Sequence, residues 1–399
     1  MNPWLRVFAP FAAGYYLSYL LRNVNAVIAP ELTRALSVSA AELGLLTGAY
    51  LLAFGAFQLP LGLLLDRYGP RKVEASLLLV AATGCAVFAL GDSLPQLAIA
   101  RGLIGLGVSA CLMASFKAFS LWFPLERQAS LNAAVMAAGG LGALTATTPI
   151  GWALPALGWR GIFVAAAVLA LLVAALIFST PEKPASGSRE TLGEQLIALA
   201  GILKSRVFWR FAPQTAAVVG GFMALQGLWA VPWLMHVDGY SRDVAAFHLL
   251  LTSGAMLIGF LSIAAFVVRL KHMGIEPETI LKAGMGIGVA VMMLILLGIG
   301  PSHIIWFALG LVFSVGNLAY ALLCTHFPRE LSGRVNTALN LGAFVGAFGI
   351  QWGIGALVDL LAAGGMPTAE AYRWAFGALV AMQTLAYGWF LLGTRDARA

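Results

Sequence analysis

About twelve stretches of roughly twenty apolar residues run through this chain, and that pattern leaves little choice of fold. An α-helix rises 1.5 Å per residue, so ~20 apolar residues cross the ~30 Å of hydrocarbon in a bilayer. The stretches fall at 8–28, 41–65, 73–91, 96–118, 130–153, 159–179, 209–235, 244–268, 279–299, 302–324, 334–360 and 371–393. Lipid offers backbone amides no partner, so each stretch is expected to be a helix. With 60% hydrophobic residues and 10% charged, too little polar surface remains to cover a soluble domain. The fold class is all-α integral membrane with twelve transmembrane helices.

The basic residues set the orientation. With both termini inside, 17 of the 24 Lys and Arg lie at cytoplasmic ends, against Arg34, Arg160, Arg242 and Arg373 outside. The expected place is a bacterial inner membrane with both termini cytoplasmic. The net charge of +7 follows from this bias, so a nucleic-acid partner is not expected. The first span lacks a small-residue cleavage site and is expected to stay in the chain. Cys85, Cys111 and Cys324 all lie in spans, which argues against a disulfide framework.

The chain repeats itself at an offset of about 204–205 residues. Phe123-Pro124-x-Glu126 with Asn132-x-Ala134 recurs as Phe327-Pro328-x-Glu330 with Asn336-x-Ala338, and Gly69 recurs as Gly274. Two halves of six helices follow, 1–180 and 209–399, joined by a cytoplasmic linker over 181–208. In the linker, Leu192, Leu196, Leu199 and Leu203 form one apolar stripe, as in an amphipathic helix lying on the inner surface.

Between the second and third spans stands Gly62-x3-Asp66-Arg67-x-Gly69-x-Arg71-Lys72. The residues and their position resemble the signature loop of the major facilitator superfamily of secondary transporters. Arg101-x3-Gly105-x-Gly107 resembles that family's second motif, and Gly158-Trp159-Arg160 enters the sixth span in its manner. The resemblance covers essentially the whole chain. It implies two pseudo-symmetric six-helix bundles around a central cavity. It also implies a conformational latch in which Gly62, Asp66, Arg67, Gly69 and Arg71 act with Glu126 and Glu330 near the start of the eleventh helix. Arg101 and Gly105 would serve coupling or helix packing. The fifth span carries Gly139-Gly140-x-Gly142 but lacks the Gly-Pro-x-x-Gly of the family's antiporters.

Charge within the spans points to the cargo. None of the 17 Asp and Glu falls near the middle of a span, whereas Arg22, Arg101 and Lys117 lie inside helices. A buried cation without a partner costs several kcal/mol, so such groups usually face water, a polar cavity or a ligand. The interior is therefore expected to be positive and its occupant an anion. Tyr15, Ser18, Tyr19, Arg22 and Asn25 share one face of the first helix. Here Arg22 is the expected carboxylate partner, flanked by Tyr19 and Asn25, since a guanidinium fork matches a planar carboxylate. The segment Arg22-Asn-Val-Asn25-Ala-Val also resembles the first span of organic-anion transporters in the superfamily. Lys117 either touches substrate or extends its amine toward the inner surface.

A second polar stripe runs through the seventh span: Gln226, Trp229, Trp233 and His236. Pro232 is expected to break that helix and release a carbonyl. Asn317 and Tyr320 in the tenth span, and Asn336, Asn340 and Gln351 in the eleventh, are further candidates for substrate contact or for joining helices.

The expected function is secondary active transport of a small organic anion, a carboxylate first of all, by alternating access. A proton or another coupling ion is possible, and the expected form is a monomer in the bilayer. A proton-linked exporter of amphipathic drugs or metabolites is the alternative. An enzyme is not expected: the five histidines are scattered, no metal-ligand or nucleophile constellation appears, and no cofactor or metal is implied.

Overall fold

Proline and glycine placement shows how the apolar stretches become separate helices. In the computed structural model, residues 4–181, 192–328 and 331–393 are described. Every regular element among them is helical. The chain divides into two units, Met1–Val38 with Leu45–Leu192, and Ser39–Gly44 with Gly193–Ala399.

In the first unit, α1 (Ala9–Leu36) is followed by α2 (Ala40–Tyr68) and α3 (Pro70–Leu90). Gly69 joins the last two at φ +81°, ψ 159°, a conformation open to glycine and strained for other residues. Pro70 then occupies the first turn of α3, where its missing N–H is no loss. The fourth span is not one rod. It runs as α4 (Leu94–Val108) and α5 (Cys111–Trp122), broken at Ser109 and Ala110. Carbonyls at the break are met from other helices: Gln58 Nε2 donates to Ser109 O at 3.1 Å, and Ser18 Oγ to Val108 O at 3.4 Å. Next comes α6 (Leu125–Thr145), then α7 (Thr148–Phe178), which is itself two helical pieces meeting at Gly158, φ +63°. α3 packs on α4 and α7, and α1 on α6. Such close helix contacts use small residues, since lipid supplies no hydrophobic drive between helices.

The second unit holds α8 (Leu192–Leu203), α9 (Arg206–Ala224), α10 (Ala230–His236), α11 (Arg242–His272), α12 (Pro277–Leu297), α13 (Ser302–Phe313), α14 (Leu318–Cys324), α15 (Ser332–Ala363) and α16 (Thr368–Leu392). α8 is the expected linker helix. The first turn of α2 belongs with this unit because Asp359 caps it: its carboxylate accepts the Ala40 and Ala41 N–H groups at 3.0 and 2.7 Å. An anion at a helix N-terminus satisfies orphan donors and the helix dipole together. Glu330 of the expected latch lies outside the described residues, as does the Glu126 side chain.

Ten helical stretches among the described residues are long and apolar enough to cross a membrane, several of them through a break. α1, which carries Arg22, is 28 residues long, and the apolar part of α6 is Ser130–Thr145. With these two the twelve expected spans are accounted for, but four of them have internal breaks that a plain apolar run does not announce.

Candidate functional site

The first unit brings two guanidinium groups to one tyrosine. Arg22, on α1, lies over the Tyr19 ring at 4.6 Å and the Phe54 ring at 5.0 Å, and it hydrogen-bonds the Tyr50 hydroxyl. Arg101, on α4, lies 4.8 Å from the centre of the same Tyr50 ring and donates to Leu21 O at 2.9 Å. Tyr50 is fully buried and donates its own hydrogen to Ser18 O at 3.2 Å. Gly105 explains the meeting. A Cβ there would collide with the Tyr50 carbonyl, so α2 and α4 touch through backbone beside Arg101. Arg22 remains half-buried, whereas Arg101 is 0% exposed, with Nε and Nη2 lacking hydrogen-bond partners. Arg22 can therefore meet a ligand, and Arg101 adds positive charge behind it. Aromatic faces stabilise cations through their quadrupole without neutralising them.

Tyr19 and Asn25 take different positions beside Arg22. Tyr19 supports the guanidinium. Asn25 is 0% exposed with both amide atoms unpartnered. Sequence inspection missed Tyr50 and Phe54, although Tyr50, Phe54 and Gln58 recur at helical i, i+4, i+8 spacing.

Lys117 requires a correction. Its amine is in contact with the Asp66 carboxylate, so it is not a cation without an acidic neighbour. The break between α4 and α5 at Ser109 and Ala110 stands between Arg101 and Lys117. The expectation of an interior without acidic neighbours falls with it. The other loop residues are separated in space: Arg67 stacks on Tyr68 and is exposed, while Arg71 donates to Phe178 O and Thr180 O at 3.4 and 3.2 Å. Gly62 lies on the exposed side of α2.

In the second unit, the break in the seventh span is a π-turn over Leu225–Trp229, not a kink at Pro232. The Ala230 N–H bonds back to Leu225 O, five residues earlier. The wide turn precedes the proline and relieves its clash with the preceding turn. Gln226 Nε2 donates to Ser253 Oγ at 2.9 Å. Trp229 and Trp233 were expected to wall a cavity, but they are 0% and 1% exposed and pack inside the unit. The Trp229 indole N–H donates to Gln351 O at 2.8 Å, and the Trp233 ring stacks on Phe376. Tyr320 and Asn340 are brought together, the hydroxyl donating to Oδ1 at 3.1 Å; Asn317 is half-buried on the short turn before α14. Gln351, beside Trp229, is 1% exposed and leaves both amide atoms without partners.

No group of three or more His, Cys, Asp or Glu able to hold a metal occurs among the described residues. A multi-pass helical membrane protein with a guanidinium pair in its first unit is the class defined by these features. The family profile of the Major Facilitator Superfamily matches residues 11–350. The chain belongs to that superfamily. It is 28% identical over 216 residues to the galacturonate transporter of Dickeya chrysanthemi, covering 50% of this chain and 63% of that protein. It is 31% identical over 167 residues to the hexuronate transporter of Escherichia coli strain K12, covering 41% and 39%. The matched region thus spans less than two thirds of either relative. A bacterial homologue of the human lysosomal transporter Spinster, solved inward-facing and occupied, shares the fold at TM-score 0.78 and 17% identity, over 99% of this chain and 98% of that one.

Proposed function

We propose that this protein is a secondary transporter of small organic acid anions, with hexuronates and related sugar acids as its substrate class. The observation that carries the reading is the convergence of Arg22 and Arg101 on Tyr50 within membrane-spanning helices. A guanidinium binds a carboxylate through paired, charge-assisted hydrogen bonds, and it keeps its charge at any physiological pH. Arg22, half-buried against Tyr19 and Phe54, is the group that takes the carboxylate. The relatives named above move uronates, compounds with one carboxylate and several hydroxyls. Transport proceeds by alternating access, with both termini on the cytoplasmic side.

The drug-exporter reading is the weaker one. It needs a site for cations or neutral amphiphiles, and the Arg22–Tyr50–Arg101 group repels cations. A thermal-shift screen of purified protein tests the substrate class, since a ligand stabilises by RT ln(1 + [L]/Kd). Galacturonate, glucuronate and aldonates should raise the melting temperature, while cationic dyes should not. Stabilisation by cationic amphiphiles alone would overturn the reading.

A further inference from the structure

Glu74 is 0% exposed, and neither oxygen of its carboxyl meets an N–H or O–H donor. It stands in the second turn of α3, near the inner end assigned from the basic residues. Three other helices close around it. From α1, Gly14 presents backbone alone, and a Cβ there would collide with Glu74 Oε1. From α7, the Ile177 side chain borders the same space. From α5 comes the Cys111 thiol, a weak donor, and it is the one titratable group acting on the carboxyl among the described residues. Arg71, on the first turn of α3, is directed to Phe178 O and Thr180 O. α4 packs farther along α3, where Arg101 acts on Cys85.

The second unit shows what this chain does with a carboxylate it keeps ionised. Glu278, on the first turn of α12, is met by Arg210 at 2.5 Å and Lys282 at 3.1 Å. Glu74 has no such cation. An ionised carboxylate in its cage costs several kcal/mol with nothing to offset it, whereas the neutral acid costs one weakly made hydrogen bond. The missing side chain at Gly14 gives the carboxyl head its room.

We propose that Glu74 is a proton-binding site of the first unit. It holds its proton while α1, α3, α5 and α7 stay packed and passes it to water when their inner ends part, leaving a carboxylate. Inner-side pH thereby acts on anion transport. This rests on the transport reading above.

The test uses the full-length chain reconstituted in lipid. Infrared difference spectra between the wild type and Glu74→Gln should show the C=O stretch of a neutral carboxyl at neutral pH that the variant lacks. In proteoliposomes, Glu74→Gln should retain galacturonate counterflow while the several-fold dependence of its rate on internal pH flattens. If Glu74→Gln fails to fold, Cys111→Ala serves instead: losing the thiol should shift that C=O band. A spectrum without the neutral-carboxyl band, a band unmoved in Cys111→Ala, or a wild-type pH profile in Glu74→Gln would each overturn the assignment. Wild-type protein that exchanges no uronate would refute the transport reading, and the spectra would still decide Glu74.

Discussion

Lys117 closes on Asp66, joining the C-terminal end of α2 to α5 within the first unit. The carboxylate of the signature loop is thus held by a cation from its own unit. Both side chains are about a quarter exposed, so the pair is partly screened by water. Removing either partner leaves the other poorly compensated. Lys117→Ala or Asp66→Asn should each destabilise by about 1–2 kcal/mol, less than for a fully buried pair. The Lys117→Ala/Asp66→Asn double variant should lose less than the sum of its parts. A double-mutant cycle on melting temperature measures the coupling, and additive losses would show the pair to be inert.

Gly105 fixes the spacing between α2 and α4 that brings Arg101 to Tyr50. Gly105→Ala must push the two backbones apart, at a cost of about 1–3 kcal/mol, as in other overpacked sites. Gly102→Ala is the control. Its added Cβ would find Ala53 Cβ at 4.0 Å, so that variant should be neutral or slightly stabilised. Melting temperatures in detergent distinguish the two. Galacturonate stabilisation should weaken in Gly105→Ala alone.

Asp238, in the turn between α10 and α11, is half-buried, and burial pushes its carboxyl above the usual aspartate range. The Ser302 hydrogen bond, His248 and Arg373 act in the opposite direction. A raised acid is protonated more readily in the folded chain than in the unfolded one. Its stabilising contribution is therefore present below the ordinary aspartate pKa of about 3.9 and is lost as pH rises through the folded value above it. Asp238→Asn should abolish that part of the pH dependence. Melting curves across the acidic range compare the two proteins, and parallel curves would count against the assignment.

The sequence carries the membrane class, the twelve spans and the repeat, because hydrocarbon thickness and backbone satisfaction dictate them. It also carries Gly69, whose left-handed turn no other residue fits as well. The breaks were harder to see. Ser109–Ala110 and the π-turn before Pro232 lie inside runs that stay apolar, so hydropathy does not register them. Lys117 lies beyond the first of these breaks, and its pairing with Asp66 on another helix leaves no mark in the apolar pattern. Arg22 was legible from the polar face of α1. Tyr50, its partner from α2, left only the spacing it shares with Phe54 and Gln58. Glu74 was readable in principle, since Leu77, Leu78 and Ala81 continue its face and are buried. It was passed over because a carboxylate one turn from a cluster of arginines looks solvated until the packing of α1 and α7 is known.

The most direct test of the account is galacturonate counterflow by purified protein in liposomes, comparing wild type, Arg22→Lys and Arg22→Gln. Charge-assisted hydrogen bonds contribute about 1.5–3 kcal/mol, roughly 10- to 150-fold in affinity. Arg22→Gln should raise the half-saturating galacturonate concentration by that factor, and Arg22→Lys should fall between the two. Arg22→Gln exchanging galacturonate with wild-type affinity and rate would contradict the account.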